Sequence, residues 1–187
     1  GIHLSAAAIT NVTQDHFDYH GTQDAYEAAK ADITSLLYPE APLLLNADDP
    51  GCQNIMKRLD RDTRIVTYGN DNPAAELRST VLRKTHRSQR VRLSLAQGDA
   101  EFRLRLIGRH NVSNCLAAAG IAEQLGISLS HIVDGLQALH AVPGRVERID
   151  EGQPFQVLVD YAHTPDALAQ CLDAVRDFVP GRLICVF

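Results

Sequence analysis

Two short apolar runs, at 155–159 and 183–187, flank a stretch at 164–178 whose apolar spacing predicts a helix of about four turns. Two strands joined by a helix of that length lie parallel, since antiparallel neighbours need only a hairpin. Parallel strands are covered on both faces, so an α/β architecture is expected. A similar rhythm opens the chain. Residues 6–10 read as a buried strand, followed by a polar loop at 11–21. Thr22 can cap a helix running to about residue 38, with Asp24 and Glu27 near its positive end and Pro39 and Pro42 after it. Leu43, Leu44 and Leu45 form a short buried strand, then a helix is expected at 52–59 and a strand at 64–68.

Beyond residue 79 the texture changes. Segments 80–86, 90–96 and 101–107 alternate apolar and polar residues, separated by Ser88-Gln89 and Gln97-Gly98-Asp99. That pattern predicts an antiparallel meander with one wet face. Its outward Arg90, Arg92, Arg103 and Arg105 read as solvated charges, and a net charge of −5 argues against a nucleic-acid partner. Residues 111–125 are apolar nearly all round and predict a helix buried on most sides; a shorter helix is expected at 130–139. Val142-Pro143-Gly144 then looks like a joint between domains, placing one at 1–146 and a second at 147–187. No apolar run approaches membrane-spanning length, and no cationic leader opens the chain. Cys52, Cys115, Cys171 and Cys185 are widely spaced and form no C-x-x-C; Cys115, Cys171 and Cys185 sit in apolar surroundings, so core thiols of a cytoplasmic protein are expected. The final run at 183–187 reads as a core strand with nothing after it, so the chain reads as a fragment.

Four constellations can carry chemistry. The loop from Thr10 to Gly21 holds Asp15, His16, Asp18 and His20 just after a strand, where ligands meet α/β sheets. Capping aspartates in a polar loop account for it equally well, and the spacing fits no zinc motif. Lys30 lies at the edge of an apolar helical arc, as a snorkelling lysine or as a partly desolvated, nucleophilic amine. Asn111 and Asn114 share a side of the first turns of a buried helix, Asn111 being either an N-cap or a ligand contact. Asp160-Tyr161-Ala162-His163-Thr164-Pro165 forms a strand-to-helix switch, with Thr164 as cap and Pro165 in the first turn. No GxxxxGK[ST] loop occurs, so a triphosphate cradle, if ATP is used, lies outside this chain.

These segments in this order resemble the Mur ligases. The similarity rests on the stretch from Thr10 to Gly21, on Ala25 to Lys30, on Asn46-Ala47-Asp48-Asp49 and on Gly108 to Asn111 with Asn114. It continues through Pro143 to Glu147 and Asp160 to Asp166. The resemblance implies part of a nucleotide-binding central domain with an antiparallel subsheet, followed by the start of a Rossmann-like C-terminal domain. It implies an ATP- and Mg²⁺-dependent carboxylate–amine ligase of peptidoglycan synthesis. The implied branch adds the third amino acid, diaminopimelate or lysine, to UDP-MurNAc-L-Ala-D-Glu. By that resemblance His16 is a magnesium ligand and Lys30 carries a carbamate that also serves the metal. Asn111 and Asn114 lie near adenine, and Arg145, Asp160 and His163 contact the nucleotide, Asp160 at the ribose. Asn11 and His20 face the UDP-sugar or acceptor. The central P-loop and the amino-acid recognition motif are not in this sequence, so the chain alone is expected to lack ligase activity. Asp71-Asn72-Pro73-Ala74 imitates that motif without its arginine and reads as a turn. A folylpolyglutamate- or cyanophycin-synthetase-type ligase, and a non-catalytic binding module, are the alternatives.

Overall fold

The computed structural model describes residues 1–12, 22–85, 87–176, 178–179 and 181–187. One six-stranded sheet carries most of it, with strands in sequence order: β1 (Ala7–Ile9), β2 (Leu43–Asn46), β3 (Ile65–Gly69), β4 (Leu77–Thr85), β5 (Ser88–Leu95) and β6 (Gly98–Leu104). β1 to β4 are parallel, and β4 to β6 are antiparallel. On one face, α1 (Gln23–Ala31) and α2 (Pro50–Arg58) pack against Ile9, Leu43 and Leu45 through Tyr26, Cys52 and Ile55. On the other, α3 (Arg109–Gln124) and α4 (Leu129–Ala138) cover Leu44, Val66, Tyr68 and Leu93. Consecutive leucines in β2 therefore point into two different cores, which is why an uninterrupted apolar run forms a central parallel strand.

Local signals set the helix starts. Thr22 accepts a hydrogen bond from the Ala25 amide at 3.2 Å and opens α1. Asp49 accepts from the Cys52 amide at 2.8 Å, with Pro50 in the first turn of α2. The expected helix to residue 38 instead tightens into a 3₁₀ segment, Asp32–Leu36. There Thr34 and Ser35 donate side-chain hydrogen bonds to the Ala31 and Asp32 carbonyls, competing with the α-helical pattern.

The meander starts earlier than its alternation suggested and is continuous with the parallel sheet. Leu77 and Ser79 are buried, and β4 pairs with β3 through Tyr68–Leu77 and Gly69–Arg78. Ser88 and Gln89, expected in a turn, open β5. Gln89 is fully buried and donates to the carbonyls of Leu106 and Gly108, where the chain leaves the sheet. A buried backbone needs those partners, so a polar residue holds a core position.

After α4, a two-stranded antiparallel ribbon forms from β7 (Glu147–Ile149) and β8 (Val157–Val159), followed by α5 (Pro165–Arg176). The parallel unit expected around α5 is not realised. Residues 183–187 make no strand, and Ile184, Val186 and Phe187 are exposed, because β8 pairs only with β7 among the described residues. Apolar residues alone do not hold an extended segment without a partner edge. The same geometry corrects the placement of Cys185, which is exposed, whereas Cys52 and Cys115 are buried; all four cysteines are free thiols. Among the described residues no helix is long and apolar enough to cross a membrane.

Candidate functional site

The carboxyl end of β1, the exposed flank of α1 and the first turns of α3 converge on one cleft of about 980 Å³. Its far wall is the 142–145 turn, the segment after β8 and the first turns of α5. Asn11, Lys30, Asn111, Asn114, Arg145, Asp160 and His163 all line it, so seven residues singled out from separate segments face one space. His16 and His20 lie outside the described residues.

Lys30 is half-buried at the end of α1, its Nζ 5.0 Å from the centroid of the Tyr26 ring. The stem thus follows the aromatic face while the amine reaches the cleft, as a snorkelling lysine does. The buried residue of α1 is Glu27, whose carboxylate accepts from Gln23 and Asn54 and lies 3.1 Å from Arg58. That pairing locks α1 against α2 and fixes the direction in which Lys30 points.

Asn111 is not the N-cap of α3. Gly108 occupies that position with φ +92°, and a Cβ there would lie 2.7 Å from the His110 ring. Asn111 is buried in the first turn, and its Nδ2 donates to the Ile107 carbonyl at 2.7 Å. Its Oδ1 is left as an acceptor beside the cleft, while exposed Asn114, one turn on, carries no partner among the described residues. Arg109 pairs with Asp71, tying the helix start to the loop after β3. That loop is the expected turn. The Asp48 carboxylate accepts from the backbone amides of Asn70, Asp71 and Asn72, anchoring it to the end of β2.

Asp160 joins the two sides of the far wall. Its Oδ2 accepts from the Val146 amide and its Oδ1 from the Ala162 amide, each at 2.8 Å. The Tyr161 amide donates to the Gly144 carbonyl, so the turn carrying Arg145 is held beside the end of β8. The Arg145 guanidinium stands 5.9 Å from the Tyr161 ring, and His163 meets that ring edge-on at 5.0 Å. Thr164 caps α5 by accepting from the Ala167 amide, as expected.

Several cleft residues were not singled out from the sequence. His110 lines the cleft within the Gly108–Asn111 motif; burial lowers its basicity, Asp160 opposes that and Arg145 adds to it. Tyr161 is an exposed aromatic in the wall; the signal for it was its place in a polar strand-to-helix switch. Cys115 and Cys171 reach the cleft as thiols, with burial pushing Cys115 up to about 11 and raising Cys171. Among the described residues no three His, Cys, Asp or Glu side chains cluster for a metal. Mg²⁺ needs few protein ligands, since water and phosphate oxygens fill most of its octahedron. An anionic oxygen donor on Lys30 fits that chemistry; its ammonium does not.

Residues 1–122 match the Mur ligase middle domain, and residues 144–187 match the Mur ligase glutamate ligase domain. Relatives named UDP-N-acetylmuramoyl-L-alanyl-D-glutamate–2,6-diaminopimelate ligase include one from Trichormus variabilis, 38% identical over 100% of this chain, and one from Thermosynechococcus vestitus, 40% identical over the same share. The chain spans 38% of the length of each. A solved UDP-N-acetylmuramoylalanyl-D-glutamyl-2,6-diaminopimelate–D-alanyl-D-alanyl ligase from Acinetobacter baumannii superposes with a TM-score of 0.79 at 26% identity, covering 91% of this chain and 36% of that one. With its sheet, its cleft-forming segments and most of its length matching one family, this chain belongs to the Mur ligases.

Proposed function

We propose that this chain is the nucleotide- and metal-binding core of an ATP-dependent ligase that adds diaminopimelate to UDP-MurNAc-L-Ala-D-Glu in cytoplasmic peptidoglycan synthesis. The observation that carries the reading is the cleft itself, in which Asn11, Lys30, Asn111, Asn114, Arg145, Asp160 and His163 face one another across about 980 Å³. The names of relatives 38–40% identical along the whole chain support the choice of branch. Residues 1–146 form the central unit and 147–187 the start of the next, with the cleft between them.

In this reading the carboxylate of the acceptor's D-glutamate takes the γ-phosphoryl group of ATP, and ADP leaves. The amine of the incoming diamino acid then attacks the acyl carbon, expels phosphate and loses a proton. Asn111 and Asn114 meet the adenine edge with amide donors and acceptors that do not change with pH. Asp160 retains unshared lone pairs after its two backbone bonds and accepts from ribose hydroxyls. Arg145 supplies positive charge toward the phosphates, and His163 a ring nitrogen that hydrogen-bonds the nucleotide. Lys30, its neutral amine having taken up CO₂ and lost a proton, would present a carbamate, an anionic oxygen donor that with His16 would hold Mg²⁺. The metal supplies neutralisation of the transferring phosphate charge. Asn11 and His20 orient the acceptor.

The test places this chain in the matching stretch of the Thermosynechococcus relative. The chimera releases phosphate from ATP only when the UDP-MurNAc-dipeptide and diaminopimelate are both present. Lys30→Ala lowers the rate by roughly 10²–10³-fold, and a small added carboxylate restores part of it. Full activity in Lys30→Ala removes the carbamate, and phosphate release with a folate acceptor instead removes the branch.

A further inference from the structure

Wet-face residues of the antiparallel half-sheet, together with Phe102 and with Gln137 of α4, line a second concavity of about 520 Å³, which shares no residue with the larger cleft. Its wall is a rank of arginines. Arg83 on β4 is the register partner of Arg90 on β5, and Arg90 is the partner of Arg103 on β6. A β-bulge between Val81 and Arg83 produces this alignment. Without the extra residue, Leu82 would stand opposite Arg90. Bulges re-aim side chains, and here the result places like charges directly across two successive strand pairs, an arrangement that disfavours the sheet.

Counter-charge is scarce. Asp99 lies on the same face farther along β6, outside the concavity; the carboxylate that lines it is Glu101, and both of its oxygens are occupied: Oε2 by Arg90 at 2.8 Å and Oε1 by Arg92 at 2.6 Å. Arg103 donates through Nε to the Ser88 hydroxyl at 3.0 Å, and both residues line the concavity. Arg83 has no hydrogen bond or ion pair among the described residues, yet lines the same space with Thr85 and Gln137. In a chain of net charge −5, three converging guanidiniums with two nearby hydroxyls are not a by-product of a basic composition.

We propose that the Arg83–Arg90–Arg103 rank is a binding site for a small phosphate-bearing anion. Adjacent strands are about 4.8 Å apart, so forks from neighbouring strands reach a single tetrahedral group. Guanidiniums bind phosphate oxygens in pairs, and the ligand's charge relieves the repulsion built into the rank. The site is a concavity rather than a flat basic face, which suits a soluble phosphate compound better than a bilayer surface. Because it shares no residue with the larger cleft, the assignment stands whether or not the ligase reading holds.

The experiment titrates inorganic pyrophosphate into the isotope-labelled chain at low ionic strength and follows the arginine Nε–H and backbone amide resonances by NMR. Saturable shifts are expected at Arg83, Arg90, Arg103 and Ser88, weakening as salt is raised. Arg83→Gln and Arg103→Gln each weaken binding by about tenfold or more, while their melting temperatures without ligand stay level or rise because repulsion has gone. That last readout separates lost binding from lost folding. Shifts confined to the larger cleft, no saturable shift at the rank, or equal binding by both variants would overturn the site. Tighter binding to phosphatidylglycerol vesicles than to pyrophosphate would overturn the small-ligand assignment.

Discussion

His110 occupies the second residue of α3, with Gly108 against its ring and Asp160 and Arg145 nearby on the opposite wall. The ring keeps an exposed edge, yet the protein packed around it favours the neutral imidazole, so its folded pKa lies below the ordinary 6.5. The unfolded chain therefore binds the proton more readily, and stability rises with pH across that interval. The contribution is intact above 6.5 and is lost as pH falls from there through the depressed folded value. His110→Asn removes this titration, so its melting temperature falls less steeply than the wild type's between neutrality and mildly acid pH. Parallel melting curves for the two proteins would show that the ring is solvated. A Cβ at residue 108 would collide with the same ring, so the glycine and the histidine act as one unit. The sequence places the two side by side, but only the fold brings Asp160 and Arg145 to the imidazole.

At the scale of the element, α3 determines how closely the helical layer approaches the sheet. Gly120 sits where a Cβ would come within 2.6 Å of Leu77 and 2.7 Å of Leu44, side chains from β4 and β2. Gly120→Val forces those leucines out of their rotamers and costs about 1–3 kcal/mol, read as a lower denaturation midpoint with an unchanged slope. A variant as stable as wild type would mean that the layer is not close-packed there. The apolar circumference of α3 was readable from residues alone, as were the helix α2 and the leucine run of β2, though not the Asp49 cap. What was not readable depends on neighbours. Gln89 looked like a turn residue because its partners, the Leu106 and Gly108 carbonyls, are distant in sequence. The 3₁₀ segment after α1 turns on two hydroxyl-to-carbonyl bonds, and the bulge in β4 on the pairing of β5.

Across the whole molecule, the strand-to-helix alternation carried the α/β architecture, because parallel strands impose their own sequence pattern. The cleft was legible as separate polar turns but not as one space, since convergence is a property of the packed layers. The weakest reading was at 183–187, where hydrophobicity without a pairing partner gave no strand. What joins the last segments to the central sheet is a small cluster of Ile107, Val146, Val175 and Phe178, with Leu158 and Cys171 packed at its margin. Ile107 lies just before α3, so this cluster is the apolar contact that holds the far wall of the cleft in place. Phe178→Ala empties most of it, at a cost of about 3–5 kcal/mol. If the cluster is the principal tie, that cost is local. Hydrogen exchange then accelerates in α5, β7 and β8 while the amides of β2, β3 and β5 keep their protection, since their own cores exclude Phe178. Because Arg145, Asp160 and His163 move with the loosened segment and Lys30 does not, ligands spanning the cleft bind more weakly than those held by α3 alone. Uniform acceleration across the six-stranded sheet would instead make the chain one cooperative unit, and the cleft would open only with global unfolding.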